Sequence, residues 1–408
     1  MKRMRMVTFL SLIGFALLTS GCFNTDNVKI GIIIPEKGSL AQYGYQIKSG
    51  IQMAQEEIAA LAGQELQITI GPDDVRPVVM KNYEFIWRVE DETDVEGMKA
   101  SFEELKKLGV SAIIGPASSA GTLALAPLAN ESRIILLSPS SSSPEINADG
   151  GDWVYRNYSS DTLEAQKLAS TIFNKMRIQK LLVVRAKNTF AKGISMEMLR
   201  FARQNSKDIP NTVVKFTADV KEADYKKAVD QIVDVNPQGI FMASYTDQMI
   251  ELIKEIRTRE ELKDLYIFTC SAFVPGDVME ELGKDLIENV MFTAYTWDPN
   301  SSVPAIKEFS DKFQTKYHVV PGIFAATGYD SVKILVQAIN FADHWIVDQV
   351  QDEMNRIIYP SPILGETAFS KSGNVTRIPM IYWIKDGTKV LMTKEDIAAI
   401  KSKVLLAM

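Results

Sequence analysis

The stretch that most constrains the fold is residues 111–144, SAIIGPASSAGTLALAPLANESRIILLSPSSSSP. Its apolar run Ala112-Ile113-Ile114 breaks at Gly115-Pro116 into the small polar set Ser118, Ser119, Gly121 and Thr122. A helix-like segment follows, then a second apolar run from Ile134 to Leu137, which breaks into a serine-rich turn ending at Ser143. Short apolar runs bounded by turn formers read as buried strands. The order is therefore strand, polar turn, helix, strand, polar turn, with each turn at the carboxyl end of a strand. In an open parallel sheet that edge binds ligands, because loop amides and the next helix's amino end face outward there. Hydroxyls and amides without a basic neighbour suit a small polar or carboxylate group. The same residues would also serve as two ordinary loops rich in turn formers, so the rest of the chain has to decide.

The alternation continues on both sides. Apolar strands are predicted at 28–34, 66–70 and 85–89, with an irregular polar insertion at 71–82 between the last two. The first strand leads into a helix with Ile47, Ile51, Ala54 and Ile58 on one face, and Asp94 caps another helix that Gly109 stops. A short strand at 153–156 ends this block, and a fresh series begins with a helix capped by Asp161. Strands are predicted at 181–184, 213–216, 239–243, 265–269 and 289–294, separated by helices, one of them capped by Thr246 or Asp247. Helices at 303–317 and 326–341 precede a tail whose turn signals mark a hairpin over 378–392. Two blocks of strand–helix units in 408 residues predict a two-lobed α/β protein.

Bulk properties exclude several classes. A net charge of −6 argues against a nucleic-acid partner. The two histidines, His318 and His344, have no acidic or cysteine cluster beside them, so no metal site and no cofactor is expected. No nucleophile elbow, phosphate loop or dinucleotide fingerprint occurs, and the chain does not read as an enzyme. At the amino terminus, Lys2, Arg3 and Arg5 precede an apolar run over 6–18, and Thr19-Ser20-Gly21 leads to Cys22. This is a targeting segment, and it resembles the lipobox of bacterial lipoproteins, in which the cysteine is acylated; Thr19 departs from the usual leucine. An ordinary secretory signal or an anchor helix is the alternative. With Cys22 lipidated, Cys270 has no disulfide partner and is expected to pack as a small apolar residue.

Five motifs in register resemble one family: Lys29-Ile30-Gly31-Ile32-Ile33-Ile34-Pro35, the segment from Gly38 to Gly44 (GSLAQYG), Ala112-Ile113-Ile114-Gly115-Pro116, Leu137-Ser138-Pro139 and Gly328-Tyr329-Asp330-Ser331-Val332. Their order and spacing are similar to those of type I periplasmic substrate-binding proteins, in the branched-chain amino acid branch of ABC importer receptors. The resemblance implies two Rossmann-like lobes joined by three crossovers around a ligand cleft. It places a lipoprotein signal at 1–22, lobe 1 at 27–157 and 296–360, and lobe 2 at 158–295 and 361–400. It further implies a monomer outside the cytoplasm, lipid-anchored to a membrane and partnered by an ABC permease and a small-molecule ligand.

Site residues follow by position. Ser119 aligns with the family's carboxylate-binding serine, and Ser140 and Ser142 occupy the places that contact carboxylate and ammonium. Tyr43, Phe190 and Tyr245 match aromatics that line and close the cleft. One departure matters. Where the family pairs the ligand ammonium with a glutamate, this chain has Ser271, and no acidic residue follows before Asp277. A buried ammonium needs a partner; Asp247 could substitute or could simply cap a helix. The expected ligand is thus a branched-chain or related amino acid, an aliphatic or aromatic carboxylate, or an amide. A regulatory lipoprotein of the same fold that binds a protein partner, such as a cell-wall synthase, is the alternative.

Overall fold

The computed structural model describes residues 27–71, 74–205, 213–216, 222–274, 281–342 and 346–406. Cys22, Asp277 and His344 lie outside them. Sixteen strands are described: β1 Val28–Pro35, β2 Glu65–Gly71, β3 Asp74–Val79, β4 Tyr83–Glu90, β5 Ala112–Ile114, β6 Ile135–Ser138, β7 Val154–Arg156, β8 Leu181–Ala186, β9 Val213–Phe216, β10 Gly239–Ala243, β11 Tyr266–Thr269, β12 Val290–Ala294, β13 Ile358–Ser361, β14 Gly365–Ala368, β15 Met380–Lys385 and β16 Thr388–Leu391.

The first sheet has the order β4-β1-β5-β6-β7, and every pairing in it is parallel. The second runs β9-β8-β10-β11-β12, all parallel, and then adds β15 and β16 antiparallel. In each parallel set the strand order reverses beside the first strand, which opens a crevice at the carboxyl edge. Helices cover both faces, and for that reason β5, β6 and β10 are buried along their whole length rather than alternating. The chain passes between the sheets three times: from β7 into the helix Asp161–Ala169, from β12 into the helix Pro304–Tyr317, and through β13 and β14 back to β15.

The helix Ala41–Leu61 packs against the helix Ile323–Phe341 at backbone distance. A Cβ on Gly50 would lie 2.0 Å from the Ala325 carbonyl oxygen, so only glycine admits this approach. The crossovers are tied by Arg377, which donates to the Asn157 carbonyl at 2.9 Å, to Asn157 Oδ1 at 2.7 Å and to Thr367 Oγ1 at 3.0 Å. Asp330, on the long helix, is fully buried near Arg377, and burial pushes its carboxyl up to about 7.

Four local readings are corrected. The insertion at 71–82 is ordered structure, because β3 pairs antiparallel with β2. A second hairpin, β13 with β14, fills the third crossover and was not expected from the sequence. Ser160, not Asp161, is the cap: the Asp161 amide is taken by the Ser142 carbonyl at 2.9 Å, and the Ser160 hydroxyl accepts from Thr162 N. The helix after β10 starts at Thr246 with Tyr245 as its cap residue, because Thr246 N donates to the Tyr43 hydroxyl at 2.9 Å instead of to a side chain of its own turn. Cys270 is buried, as an apolar residue would be, and His318 sits exposed at a helix end.

Candidate functional site

The carboxyl edges of the two parallel sheets face each other across one cleft. It is lined by Leu40, Tyr43, Ala117, Ser118, Ser119, Ser140, Ser142, Tyr158, Phe190, Tyr245, Ser271, Ala272 and Phe324. All seven residues singled out in the sequence therefore converge, although they are spread from Tyr43 to Ser271. The space between them is about 40 Å³, far below the roughly 300 Å³ at the low end of ligand pockets.

The first-lobe wall is built from the loops after β5 and β6. Gly115 makes the sharp exit from β5 at φ +107°, where a Cβ would meet the Ile33 carbonyl oxygen at 2.0 Å. Glu90, fully buried at the end of β4, then accepts from Ala117 N at 2.6 Å and Ser118 N at 2.9 Å and so fixes the loop. Burial pushes its carboxyl up to about 7 against the pull of those amides and the Ser118 hydroxyl. The Ser118 hydroxyl caps the helix Ser119–Ser132 by accepting from Gly121 N at 2.9 Å. Ser119 comes next, 3% exposed, with its Oγ accepting from Ser142 N at 3.3 Å and Ser143 N at 3.1 Å. Two donors on one hydroxyl leave its own proton to be given away, and no acceptor for it occurs among the described residues. The adjoining helix amino end adds a positive field.

The serines of the second loop divide their work. Ser141, not among the expected contacts, is the structural one: its hydroxyl meets Ser138 Oγ at 2.7 Å and Thr122 Oγ1 at 2.6 Å. The Ser140 hydroxyl donates to the Ala117 carbonyl at 2.9 Å, which ties the two loops together. Ser142 lines the cleft with its backbone amide committed to Ser119.

Aromatics from both halves of the chain line the rest of the cleft. Phe190 stacks on Tyr245 with ring centroids 5.5 Å apart, Tyr245 lies 5.9 Å from Tyr43, and Tyr43 meets Phe324 edge-on at 5.0 Å. Tyr158 stacks on Phe324 at 5.6 Å. Tyr43 also bridges the lobes: its hydroxyl donates to the Ala272 carbonyl at 2.8 Å and lies 2.8 Å from Thr246 Oγ1. At the rim, Tyr245 donates to Glu92 Oε2 at 3.1 Å and Ser39 donates to Asp247 Oδ2 at 2.7 Å. Asp247 is exposed and bonded at the rim, and it is absent from the cleft lining. The ammonium partner considered for it in the sequence is not where the structure puts it.

The floor beneath Ser271 is acidic. Glu164, on the helix Asp161–Ala169, accepts from the Ser271 hydroxyl at 2.5 Å, from Ser271 N at 2.9 Å and from Thr293 Oγ1 at 2.8 Å. Tyr158 donates to Ser271 Oγ at 3.0 Å. One turn back, Asp161 is 0% exposed, and neither carboxylate oxygen has a hydrogen-bond partner among the described residues. Burial raises both carboxyls, and the Glu164 charge pushes Asp161 up further against the pull of Arg156. The sequence did not single out Glu164, Tyr158 or Phe324: Tyr158 lies in the crossover just after β7, Glu164 in the helix that follows, and Phe324 in the helix Ile323–Phe341. A search for acids one turn into the helix after β7 could have found Glu164. No group of metal-ligating side chains occurs among the described residues.

Comparison with known proteins places these features. The family model described as "Periplasmic binding protein" matches residues 27–387. A leucine-, isoleucine-, valine-, threonine- and alanine-binding protein of Pseudomonas aeruginosa is 21% identical over 391 residues, covering 94% of this chain and 96% of that protein. Among solved structures, a branched-chain amino acid transporter substrate-binding protein from Streptococcus pneumoniae in complex with isoleucine superposes with a TM-score of 0.74 at 21% identity, covering 89% of this chain and 97% of the other. A solute-binding protein of an ABC transporter from R. palustris in complex with benzoate gives 0.73 at 14% identity, covering 90% and 95%. These likenesses fix the fold as the type I periplasmic binding architecture.

Proposed function

The chain belongs to the periplasmic binding protein family, and on that premise we propose that it is an extracytoplasmic receptor of an ABC importer that closes over a small carboxylate-bearing solute. One observation carries the reading. Ser119 presents a hydroxyl whose proton is uncommitted, at the amino end of a helix, on the wall of a cleft shared by both lobes. That is equipment for a carboxylate: a hydroxyl donor in a favourable helix field, on a loop that Glu90 holds in place. Isoleucine and benzoate, the solutes in the two structures above, have the carboxylate in common. The aromatic wall of Phe190, Tyr245, Tyr43 and Phe324 suits an apolar remainder, aliphatic or aromatic.

In this reading the lobes, 27–157 with 296–360 and 158–295 with 361–400, rock about the three crossovers. The contacts Tyr43–Ala272, Tyr245–Glu92 and Ser39–Asp247 favour closure. A solute touching both lobes shifts the balance further by its differential affinity. Acylation at Cys22 tethers the body to a membrane beside its permease. Replacing Cys22 by Ser is expected to release the protein into the soluble fraction; retention would mean that the apolar segment is itself the anchor.

The test is a thermal-shift screen against amino acids, aliphatic and aromatic carboxylates, and amides. A ligand at a hundred times its dissociation constant stabilises by about 2.7 kcal/mol, a visible shift. Silence across that panel overturns the receptor reading in favour of a membrane-tethered regulator that binds a protein.

A further inference from the structure

The outermost strand of the first sheet is β4, and among the described residues no strand pairs with its far side. It is eight residues long, whereas the other edges of the two large sheets, β7, β9 and β16, have three or four. A long open edge is a template for another strand unless it is shortened, covered or charged. Val28, which pairs with Tyr83, donates its N–H to the Asn82 carbonyl at 2.9 Å. The even-numbered residues of β4 therefore turn their amides and carbonyls toward β1, and Tyr83, Phe85, Trp87 and Val89 turn theirs outward. Arg88 Nη1 donates to the Trp87 carbonyl at 2.8 Å, which leaves that oxygen a second lone pair.

The two faces of this strand differ. On one, Tyr83, Phe85 and Trp87 form a half-buried aromatic row beside the helix Ala41–Leu61, whose Ile58 and Ala59 line a groove of about 520 Å³ against them. Val89 continues the row and is 47% exposed. On the other face stand Glu84, which is exposed, Ile86 and Arg88, whose Nε donates to Glu104 of the helix Val95–Lys107 at 3.0 Å. An acid and a base thus flank one isoleucine at equal spacing, and such a pattern complements itself under a two-fold rotation.

We propose that β4 pairs antiparallel with β4 of a second copy of this chain, about a two-fold axis through Ile86, joining the first sheets of two molecules into one. In this register Tyr83 faces Val89 of the copy, Glu84 faces its Arg88, Phe85 its Trp87 and Ile86 its Ile86. Ionic residues meet ionic ones on one face and apolar residues meet apolar ones on the other, which is how cross-strand pairs stabilise a sheet. The outward amides and carbonyls of Phe85 and Trp87, and of Tyr83 and Val89, exchange hydrogen bonds across the seam. The neighbouring registers that keep those groups opposed are worse. Centred on Trp87, Glu84 meets Glu90 of the copy and Ile86 meets its Arg88. Centred on Phe85, Glu84 meets Ile86 and Arg88 meets Asn82, so no charge is paired. Charge complementarity selects both the occupant and the register. Such an edge departs from the monomer that the resemblance implied. No residue of the seam lines the cleft, so the pairing stands or falls apart from the receptor reading.

The test is sedimentation of the full chain in mild detergent over a range of concentrations, with oxidative cross-linking beside it. Wild type should show a reversible monomer–dimer equilibrium. Glu84→Arg and Arg88→Glu should each weaken it about tenfold or more, because each sets like charges opposite one another twice per dimer. The double variant Glu84→Arg/Arg88→Glu should restore it. In this register the two Ile86 residues form a non-hydrogen-bonded pair with Cα atoms about 4.5 Å apart, within the reach of a disulfide. Ile86→Cys should therefore cross-link into dimers under mild oxidant, well beyond wild type and beyond Leu391→Cys, an exposed position on the edge strand β16. The charge variants alter a partly or fully exposed pair and keep the proposal testable if Ile86→Cys does not fold. A monomer at every concentration would overturn the proposal. So would a dimer indifferent to both charge reversals, or a folded Ile86→Cys that cross-links no more than Leu391→Cys.

Discussion

At the residue scale, the cleft is assembled by side chains that hold backbone rather than ligand. Glu90 is the main one. Its carboxylate satisfies the Ala117 and Ser118 amides, and those amides position Ser119. Glu90→Ala strands two buried N–H groups, each costing about 1–3 kcal/mol. Chemical denaturation should report a loss of that order, and an unchanged midpoint would mean the amides find other partners. Tyr43 does the equivalent work between lobes. Tyr43→Phe removes the bond to Ala272 and the acceptor for Thr246 N, and keeps the ring against Phe324. The variant should fold normally and populate a more open form, read as a larger radius of gyration in X-ray scattering. An identical radius would show that closure does not depend on this hydroxyl.

At the scale of elements, the parallel strands were legible because each is a short, largely apolar run, and the loops after β5 and β6 line the cleft. The two hairpins were not. Both β3 and β13 contain a proline, Pro77 and Pro360, in a polar stretch, which reads as loop. Proline is admissible there because each hairpin is an isolated two-stranded sheet, where every strand is an edge. The seven expected site residues came from the family resemblance, and all seven line the cleft, whereas Glu164 was hidden. Its role depends on tertiary contact with Ser271, more than a hundred residues away. Gly50 faces the helix Ile323–Phe341 at backbone distance. Gly50→Ala forces the helices apart and should destabilise by about 1–3 kcal/mol, measured by urea unfolding. A neutral result would mean that the pair slides without loss.

For the whole molecule, the two lobes share a set of buried carboxyls, Glu90, Asp161, Glu164 and Asp330, all pushed upward chiefly by burial. The sign of the consequence is fixed by linkage. A carboxyl that binds its proton more tightly folded than unfolded stabilises the fold at low pH, and this contribution is lost as pH rises from the unfolded value toward the folded one. For Glu90 and Asp330, both raised to about 7, that window runs from their ordinary values of 4.5 and 3.8 upward. Stability should therefore fall between pH 5 and 7.5, by up to about 1.4 kcal/mol per pH unit for each group. A flat or rising profile over that range would mean that these groups stay ionised in the fold. Glu90 holds the cleft wall, Glu164 lies beneath Ser271 at its floor, and Asp330 is buried near Arg377.

The central claim is that a small carboxylate is held by Ser119 in the cleft between the lobes. Isothermal titration of wild type and Ser119→Ala with the strongest ligand from the screen tests it most directly. The account predicts one site per chain in wild type and a loss of about 1–3 kcal/mol in the variant, the worth of a buried hydrogen bond to a charged group. Equal affinity in the two proteins would remove Ser119 from the site and contradict the account.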